Sequence, residues 1–397
     1  MSPGRAASGL GRKIFLVATE ESGDRLGCGL MKVLRQRLGD AVQFEGVGGR
    51  AMAREGLASR FPIEELSIMG FTGVVKQLPK ILRLIRQTVE AVIEAAPDIV
   101  VIIDSPDFTH RVARRVRARN ASIPIIDYVS PSVWAWRPGR ARAMRGYIDH
   151  VLALLPFEPD AYRRLHGPPC SYVGHPLTEQ IATLRPNALE QQRRDAEPPA
   201  LLVLPGSRRS EIGHHLGIFG EALGRLRAAG AAFELILPTT PHLIEAVSEG
   251  VADWPVAPRI VSGEMEKRAA FRIARAALAK SGTVTLELAL AGVPMVTAYR
   301  VGLAEAWILR RAIEVKSVIL ANLVLGQEII PEFLQENCTA EKLAVALADM
   351  LTDSAPRRQQ MEAFAGLDAI MSTGNVAPSV RAADIVLETM RRSRRVA

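Results

Sequence analysis

Short, continuous runs of apolar residues recur along the chain, and segments with a helical pattern separate most of them. Such runs are typical of strands buried on both faces of a parallel sheet, with helices as the crossovers. The first series is Lys13–Ala18, Ile99–Ile103, Ile123–Val129 and Val151–Leu155, with a helix over Asp24–Leu38. The second is Leu201–Leu204, Phe233–Leu237, Ala276–Lys280 and Met295–Ala298, with helices beginning at Ser210, Thr283 and Ala340. The pattern predicts two successive α/β domains, a cleft between them, and ligands at the carboxyl ends of the strands.

A polar, charged segment that contains three prolines separates the two series, and we interpret it as a linker. A chain of 397 residues is long enough for two domains. The predicted segments are a disordered N-terminus (1–12), a first domain (13–182), a linker (183–200), a second domain (201–370) and a helical C-terminal segment (371–397). The N-terminus is polar and basic and lacks the apolar core of a signal peptide.

The chain carries 50 lysines and arginines against 42 acidic residues, a formal net charge of +8. A basic balance favours anionic partners, but a nucleotide, a nucleic acid and lipid headgroups all satisfy it. The three cysteines are far apart and form no Cys-x-x-Cys pair, which argues against a disulfide framework or a zinc site and favours a reducing cytoplasm. Charged residues and a proline interrupt the longest mildly apolar stretch, Ala276–Tyr299, so we expect no transmembrane helix.

The turn after the first predicted strand reads Glu20-Glu-Ser-Gly-Asp24 and opens a helix. Ser22 or Asp24 could cap that helix, and Gly23 lets the backbone turn tightly. The motif is not a dinucleotide-binding fingerprint, because Gly-x-Gly-x-x-Gly is absent. From the residues alone, a structural cap and a ligand-binding turn both remain open.

Asp104, within Ile102-Ile-Asp-Ser-Pro-Asp-Phe108, follows a buried strand at the edge where ligands are expected. A carboxylate there can act as a general base toward a hydroxyl nucleophile. A cap or turn residue is the alternative interpretation for Asp104, and Asp107 beside Pro106 is a further candidate cap.

The string Tyr128-Val-Ser-Pro-Ser-Val-Trp-Ala-Trp-Arg137 is unusual in composition, and further arginines follow it. Its two tryptophans could stack on a sugar or line a cleft on the lipid side. The alternative is a packed loop whose arginines are solvated.

Two turns in the second domain have the composition of anion-binding sites. Leu204-Pro-Gly-Ser-Arg-Arg-Ser-Glu211 frees backbone N–H groups at Gly206 and Ser207 where a helix begins, and Arg208 can grip phosphate. Lys280-Ser-Gly-Thr-Val-Thr-Leu-Glu287 repeats the arrangement, and Glu287 lies one helical turn after Thr283, where it could bind ribose. Each could be a plain capping turn, but two in one domain favour a nucleotide. The first lacks the Lys-Ser/Thr ending of a P-loop, so ATP hydrolysis is not indicated.

No residue pattern indicates a metal site. His214 and His215 are adjacent and diverge on a helix, and His-Glu-x-x-His is absent. The spacing Asp104-x-x-Asp107 also differs from the Asp-x-Asp of metal-dependent sugar-nucleotide enzymes. We therefore expect no metal and no cofactor.

The segment Leu66–Arg86 combines large apolar side chains with cations, and Pro79 is expected to begin a fresh helix there. Apolar residues rimmed by cations suit an anionic bilayer surface. A core-facing helix with a solvated basic face is the alternative. The candidate membrane-contact residues are Ile68, Met69, Phe71, Val74, Val75, Lys76, Leu78, Lys80 and Arg83.

Taken together, these segments resemble the lipid-A-disaccharide synthase family in order and over nearly the whole chain from Lys13. The most specific string is Val129–Trp136. The other matching motifs are Ser22–Asp24, Ile68–Gly70, Asp104–Phe108, Leu155–Glu158, Val173–Pro176, Leu204–Arg208, Ser281–Thr283 with Glu287, and Asn322 within Leu320–Leu323. The chain departs from the family pattern at Thr19 and Glu21.

The resemblance implies a GT-B-like α/β fold, with two Rossmann-like domains whose parallel sheets face a central cleft and a C-terminal helix that crosses back to the first domain. It implies an inverting glycosyltransferase of lipid A (lipopolysaccharide) biosynthesis, peripheral on the cytoplasmic face of the inner membrane. The substrates would be UDP-2,3-diacylglucosamine and 2,3-diacylglucosamine 1-phosphate (lipid X), and the products lipid A disaccharide 1-phosphate and UDP.

The resemblance also assigns roles to residues. Asp104 would be the catalytic base. The nucleotide-binding residues would be Gly206, Ser207, Arg208, Ser281, Gly282, Thr283, Glu287 and Asn322. The residues that position a sugar would be Glu20, Ser22, Gly23 and Asp24. With lipid substrates, the membrane interpretation of Ile68–Arg86 is favoured over the core interpretation. The oligomeric state is left open.

Two other classes of protein compete with this interpretation. Another GT-B enzyme, either a peptidoglycan-type glycosyltransferase or a UDP-sugar epimerase, would share the two-domain plan and the ribose-binding glutamate, but not the string Ser130–Trp136. A nucleic-acid-binding protein would account for the net charge, but the basic residues are dispersed and no binding motif is present, so we expect no nucleic-acid partner.

Overall fold

The computed structural model describes residues 12–66, 71–302 and 317–396, with the backbone alone for 71–77 and 394–396. The predicted disordered segment 1–12 therefore lies outside the described residues except for Arg12, and so do the candidate membrane residues Ile68 and Met69. Within the described residues, the chain forms two parallel sheets, one of seven strands and one of six.

The strands of the first sheet are β1 (Lys13–Ala18), β2 (Gln43–Val47), β3 (Ala58–Ser59), β4 (Ile99–Ile103), β5 (Ile125–Tyr128), β6 (His150–Ala153) and β7 (Cys170–Tyr172). Those of the second are β8 (Ala200–Leu204), β9 (Glu234–Thr239), β10 (Arg259–Ser262), β11 (Ala276–Lys280), β12 (Met295–Tyr299) and β13 (Glu332–Leu334). The α-helices are α1 (Glu21–Leu38), α2 (Arg50–Arg54), α3 (Phe71–Ala95), α4 (Pro106–Arg119), α5 (Gly139–Met144), α6 (Glu158–Arg164), α7 (Ile181–Leu184), α8 (Ala188–Asp195), α9 (Arg209–Ala228), α10 (Ile244–Gly250), α11 (Glu264–Ile273), α12 (Val284–Leu290), α13 (Leu320–Leu325), α14 (Ala340–Leu351), α15 (Ala355–Ala365), α16 (Leu367–Met371) and α17 (Pro378–Val396).

Each sheet is doubly wound. The strand orders are β3-β2-β1-β4-β5-β6-β7 and β10-β9-β8-β11-β12-β13, so both sheets grow outward in two directions from their first strand. A reversal of this kind opens a crevice at the carboxyl ends of the two central strands, β1 with β4 and β8 with β11. The predicted α/β class, with two Rossmann-like sheets, is confirmed.

Alternation of side chains along the buried strands builds a core on each face of the first sheet. Phe15, Val17 and Ile102 pack on one side with α3 and α4, whereas Ile14 and Leu16 pack on the other with α1 and α17. Because both faces are covered by helices, these strands read as continuous apolar runs rather than as alternating ones.

By its contacts the chain separates into two compact units. The first comprises residues up to Pro176 together with the C-terminal segment from Thr373, and the second spans Leu177–Ser372. The segment interpreted as a linker, 183–200, contains α8 and the start of β8, so that interpretation is wrong. Asn187 caps α8 with a capping box, and the buried Arg194 donates to backbone carbonyls of the second unit, which integrates this segment into that unit.

The expectation for Pro79 is also wrong. Helix α3 begins at Phe71 and continues through Pro79 to Ala95, so the proline lies inside the helix and not in its first turn. A proline in that place removes one backbone hydrogen bond of the helix. The buried residues Leu84, Ile85 and Val89, further along α3, pack into the core of the first unit and anchor the helix.

Candidate functional site

The candidate site in the second unit follows from sheet register. Strands β8 and β11 are parallel neighbours, with Val203 opposite Leu278 and Leu204 opposite Ala279. Their carboxyl ends therefore deliver the turns Gly206–Arg208 and Lys280–Thr283 to the same edge of the sheet. The two turns that together favour a nucleotide in the sequence therefore lie side by side.

A cavity of about 500 Å³ lies between these turns. Six of the predicted nucleotide-binding residues line it: Gly206, Ser207, Arg208, Gly282, Thr283 and Glu287. The lining contains further polar residues to which the sequence assigned no role, namely Glu211, Thr239, Thr240, Glu264, Lys267 and Lys280. The hydroxyl oxygens of Thr239 and Thr240 are buried and have no hydrogen-bond partner within the described part of the chain.

The turn at Gly206 is closed by Glu211. Its Oε2 accepts hydrogen bonds from the backbone N–H groups of Ser207 (2.9 Å) and Arg208 (3.3 Å), which fixes the start of α9. Gly206 has φ = +131° and leaves no room for a Cβ, which would lie 2.5 Å from the Glu211 side chain. Burial raises the pKa of Glu211, but hydrogen bonds from Ser207 and Lys280 outweigh it and leave this pKa below its ordinary value. The Arg208 side chain remains 80% exposed.

Glu287 is held by a lysine from α11. Lys267 Nζ lies 2.7 Å from Glu287 Oε2 and 3.1 Å from a carboxylate oxygen of Glu264. Burial lowers the pKa of Lys267, but the two glutamates outweigh it and raise this pKa above its ordinary value. The pairing fixes one carboxylate oxygen of Glu287 at the cavity wall.

Ser281 and Asn322 are not among the residues that line this cavity. Ser281 is buried, and its N–H donates to the carbonyl of Ala298. Asn322 is 2% exposed, and its amide bonds the backbone of Ile329 and Ile330 and the side chain of Glu332. The structure thus gives Asn322 a role in holding the segment before β13, and its contact with the nucleotide stays a prediction.

In the first unit, Asp104 sits in a strained turn at the end of β4. Asp104 and Ser105 have φ of 57° and 47°, a left-handed conformation that non-glycine residues rarely adopt. Asp104 Oδ1 accepts from the N–H of Ser105 (2.7 Å), and Oδ2 accepts from the hydroxyl of Ser22 (3.1 Å). The register of β1 and β4, with Ala18 opposite Ile103, brings these two turns together.

Asp24 has a structural role that the sequence did not predict. Its carboxylate is 3% exposed and accepts from the N–H groups of Gly49 (2.7 Å), Ala51 (2.8 Å) and Met52 (3.0 Å), so it caps α2. It does not cap α1, whose N-cap is Glu20. The Asp24 carboxylate thus satisfies three backbone donors of the fold, and Asp24 also lines the cavity at Glu20, so its contact with a sugar stays a prediction.

Glu20 is exposed and Gly23 is buried against β4. A Cβ on Gly23 would lie 3.3 Å from the carbonyl oxygen of Ile103, so this glycine permits close packing of α1 on the sheet. Glu20 lines a cavity of about 890 Å³, together with Arg25, Arg50 and Arg54. Of the four predicted sugar-positioning residues, only Glu20 and Ser22 present exposed side chains.

The two tryptophans of the Tyr128–Arg137 string behave differently. Trp134 Nε1 donates to Oε1 of Glu158 (3.0 Å), and its ring packs edge-on against Phe157. Glu158 is 3% exposed, and burial raises its pKa to about 7. Trp136 is 39% exposed, and the guanidinium of Arg137 lies over its ring. Trp134 therefore belongs to a packed loop, as in the alternative interpretation, and Trp136 alone presents an aromatic face.

The candidate membrane stretch is described only in part. The side chains of Phe71, Val74, Val75 and Lys76 lie outside the described residues. Leu78 is 43% and Leu82 41% exposed. Lys80 pairs with Glu65 at 3.1 Å, and Arg83 is exposed. Residues 78–83 thus present both apolar and basic groups to solvent.

In the part of the chain that the structure describes, no helix is both long enough and apolar enough to cross a bilayer. In the same residues, no three histidine, cysteine, aspartate or glutamate side chains are grouped as metal ligands would be.

Comparison with solved structures identifies the fold. An S. aureus MnaA–UDP co-structure matches with a TM-score of 0.60 at 12% identity, covering 97% of this chain and 98% of that one. Acinetobacter baumannii MurG matches with a TM-score of 0.57 at 14% identity, covering 95% and 99%. Both similarities extend over the whole two-sheet chain, which confirms the GT-B-like fold.

Comparison of sequences identifies the family. The model of the lipid-A-disaccharide synthetase family matches residues 14–376. The lipid-A-disaccharide synthase of Bradyrhizobium diazoefficiens is 76% identical over 384 residues, which cover 97% of this chain and 98% of that protein. The enzyme of the same name from Nitrobacter hamburgensis is 72% identical over 394 residues, 99% of each. This chain belongs to the lipid-A-disaccharide synthetase family.

Proposed function

We propose that this enzyme transfers 2,3-diacylglucosamine from its UDP derivative to the 6-hydroxyl of 2,3-diacylglucosamine 1-phosphate. The products are the β-1,6-linked disaccharide 1-phosphate, which is a lipid A precursor, and UDP, which is the leaving group of the donor. The main support for the proposal is the cavity at the ends of β8 and β11. It is lined by the N-terminus of α9, by the exposed Arg208 and by Glu287, which Lys267 holds in place. The family relatives are named for this reaction.

In this proposal the UDP part of the donor lies in the cavity, and the charges of the lining favour one orientation of it. The N-terminus of the 20-residue helix α9 carries partial positive charge, and the exposed Arg208 can reach a phosphate above it. Glu287 lies across the cavity with one carboxylate oxygen taken by Lys267, which leaves the other for the ribose hydroxyls. We therefore orient UDP with its negative diphosphate at the positive Arg208 and its ribose hydroxyls at the Glu287 carboxylate.

Asp104 is the proposed general base. Its carboxylate would accept the proton of the acceptor 6-hydroxyl while that oxygen attacks the anomeric carbon of the donor from the face opposite UDP. The new glycosidic bond forms as the bond to the diphosphate breaks, and the configuration inverts. The donor's electron pair leaves with UDP, where Arg208 and α9 stabilise the added charge. In this proposal these groups suffice, and no metal is needed.

Glu20 and Ser22 are the proposed sugar-positioning residues of the first unit. Ser22 already donates to Asp104, so it also orients the base. Gly23 and Asp24 support these residues indirectly, through helix packing and the cap of α2.

The acyl chains of both substrates place the reaction at a membrane surface. We assign the contact to the segment 68–83, on the cytoplasmic face of the inner membrane, because its described part exposes Leu78 and Leu82 beside Arg83. Apolar side chains bordered by cations bind anionic lipid surfaces.

Mass spectrometry of the product tests the reaction. Purified protein is incubated with the two lipid sugars, and we expect a disaccharide 1-phosphate together with equimolar UDP. The rival GT-B reactions, epimerisation of a UDP-sugar or transfer to a peptidoglycan lipid, would instead leave these two substrates unchanged.

A variant pair tests the base. Asp104→Ala should lower turnover about 10²- to 10⁴-fold, the usual contribution of a general base, while UDP affinity is retained. Asp107→Ala is the matched control, because Asp107 lies in the first turn of α4, just after Asp104, and its side chain is exposed. Equal turnover in the two variants would remove Asp104 from the mechanism.

A further inference from the structure

Lys280 has a position in the second unit that the proposed mechanism does not use. It is the last residue of β11 and directly precedes the turn Ser281–Thr283. Its side chain is 17% exposed and lines the nucleotide cavity. The ammonium lies 3.6 Å from the place where a Cβ on Gly282 would stand, so it lies directly against that turn.

Lys280 and Arg208 converge on one oxygen atom. Glu211 Oε1 lies 3.0 Å from Lys280 Nζ and 3.8 Å from Arg208 Nη1. The other oxygen of this carboxylate accepts the N–H groups of Ser207 and Arg208. Two cations from two different strand ends therefore meet at the start of α9.

The ammonium of Lys280 keeps hydrogen-bonding capacity. An ammonium has three donors, and within the described residues Glu211 is the acceptor that the structure gives it. The ring of Tyr299, 5.2 Å away, adds a cation–π contact but accepts no conventional hydrogen bond. Lys267, the other lysine of this cavity, is instead held by two carboxylates, Glu264 and Glu287.

We propose that Lys280 is a second diphosphate-binding cation, which contacts the phosphoryl oxygens of UDP opposite Arg208 while Glu211 holds it in place. This inference rests on the proposed nucleotide site and adds a specific ligand to it. A purely structural ion pair would serve only to close the helix cap. However, Glu211 already closes that cap through two backbone N–H groups, so Lys280 is not needed for it.

Calorimetric titration of the full-length protein with UDP and with uridine tests the inference. Lys280→Met removes the charge but leaves Glu211 bonded to its two backbone donors, and Lys280→Gln is a second variant if the first folds poorly. We expect UDP affinity to fall about tenfold or more, the size of a lost charge-assisted hydrogen bond, while uridine affinity stays within about twofold.

Two lysine controls make the result specific. Lys342→Met removes an exposed lysine of α14 in the same unit that bonds Asn337, and it should change neither affinity. Lys267→Met frees Glu287 and should weaken uridine and UDP together, because both carry the ribose.

The outcomes are distinguishable. Selective loss of UDP affinity in the Lys280 variants supports the inference. Unchanged UDP affinity, or an equal loss for uridine and UDP, overturns it and leaves the nucleotide site intact. If the unmodified protein binds no UDP, the proposed site itself is wrong, and the role of Lys280 is overturned with it.

Discussion

Glu158 makes the stability of the first unit depend on pH. Its carboxyl is 3% exposed, and burial raises its pKa from 4.5 to about 7 despite hydrogen bonds from Leu155 and Trp134. The folded protein therefore holds this proton more tightly than the unfolded chain does. Between pH 4.5 and 7 unfolding releases the proton, and the free energy of unfolding falls as pH rises.

The magnitude follows from the two pKa values. The pKa of Glu158 is 4.5 in the unfolded chain and about 7 in the folded protein. Because the unfolded chain ionises more readily, the free energy of unfolding is lowered by about 1 kcal/mol at pH 5 and by about 3 kcal/mol at pH 8. Glu158→Gln removes the titration and keeps one carbonyl oxygen, which can accept from either Trp134 or Leu155, because these two donors contact different carboxylate oxygens. The loss of the other hydrogen bond does not depend on pH, so it leaves the pH-dependent difference unchanged. The variant should therefore gain about 2 kcal/mol of stability relative to the unmodified protein between pH 5 and pH 8.

Urea denaturation of both proteins at several pH values measures this difference. Other titrating groups act on both proteins alike, so their effect cancels. A stability difference for Glu158→Gln that stays constant from pH 5 to pH 8 would refute the reasoning.

Three further perturbations test other parts of the structure. Arg208→Ala should weaken UDP binding about 30-fold by calorimetry, from the loss of about 2 kcal/mol of charge-assisted hydrogen bonding, whereas Arg227→Ala at the far end of α9 should not. Asp24→Ala should lower the free energy of unfolding by about 2 kcal/mol, because three backbone N–H groups lose their acceptor; an unchanged melting temperature would contradict that role. Replacing Val74 and Leu78 by Ser should release the protein from anionic vesicles in a sedimentation assay without changing its melting temperature. Unaltered sedimentation would argue against membrane contact there.

The central strands were predictable because burial on both faces leaves an uninterrupted apolar run. Strands β1 and β4 have the bounds expected from Lys13–Ala18 and Ile99–Ile103. The edge strands were missed for the opposite reason. For example, β10 and β13 are short, carry polar residues and are partly exposed, so composition does not separate them from loops.

The candidate site was predictable where turn chemistry is local. The turns at Gly206 and Gly282 are recognisable in the sequence because glycine and hydroxyl residues follow a strand in each. The parallel pairing of the two strands then brings the turns together. The roles of Asp24 and Asn322 were not predictable, because they depend on backbone groups far away or across a loop. The same holds for Lys280, whose partner Glu211 is 69 positions distant along the chain.

The backbone at Asp104 adds an argument for catalysis that the sequence could not supply. Two consecutive non-glycine residues in the left-handed region cost about 1–2 kcal/mol each, and neighbouring contacts must hold them there. The N–H of Asp104 donates to the carbonyl of Tyr128 (3.0 Å), and Thr109 donates to the carbonyl of Asp104 (2.7 Å). If only the turn were required, glycine would adopt this conformation with the least backbone strain. The fold instead keeps a carboxylate in a strained position at the edge where ligands bind, which supports the proposal that the carboxylate itself is used.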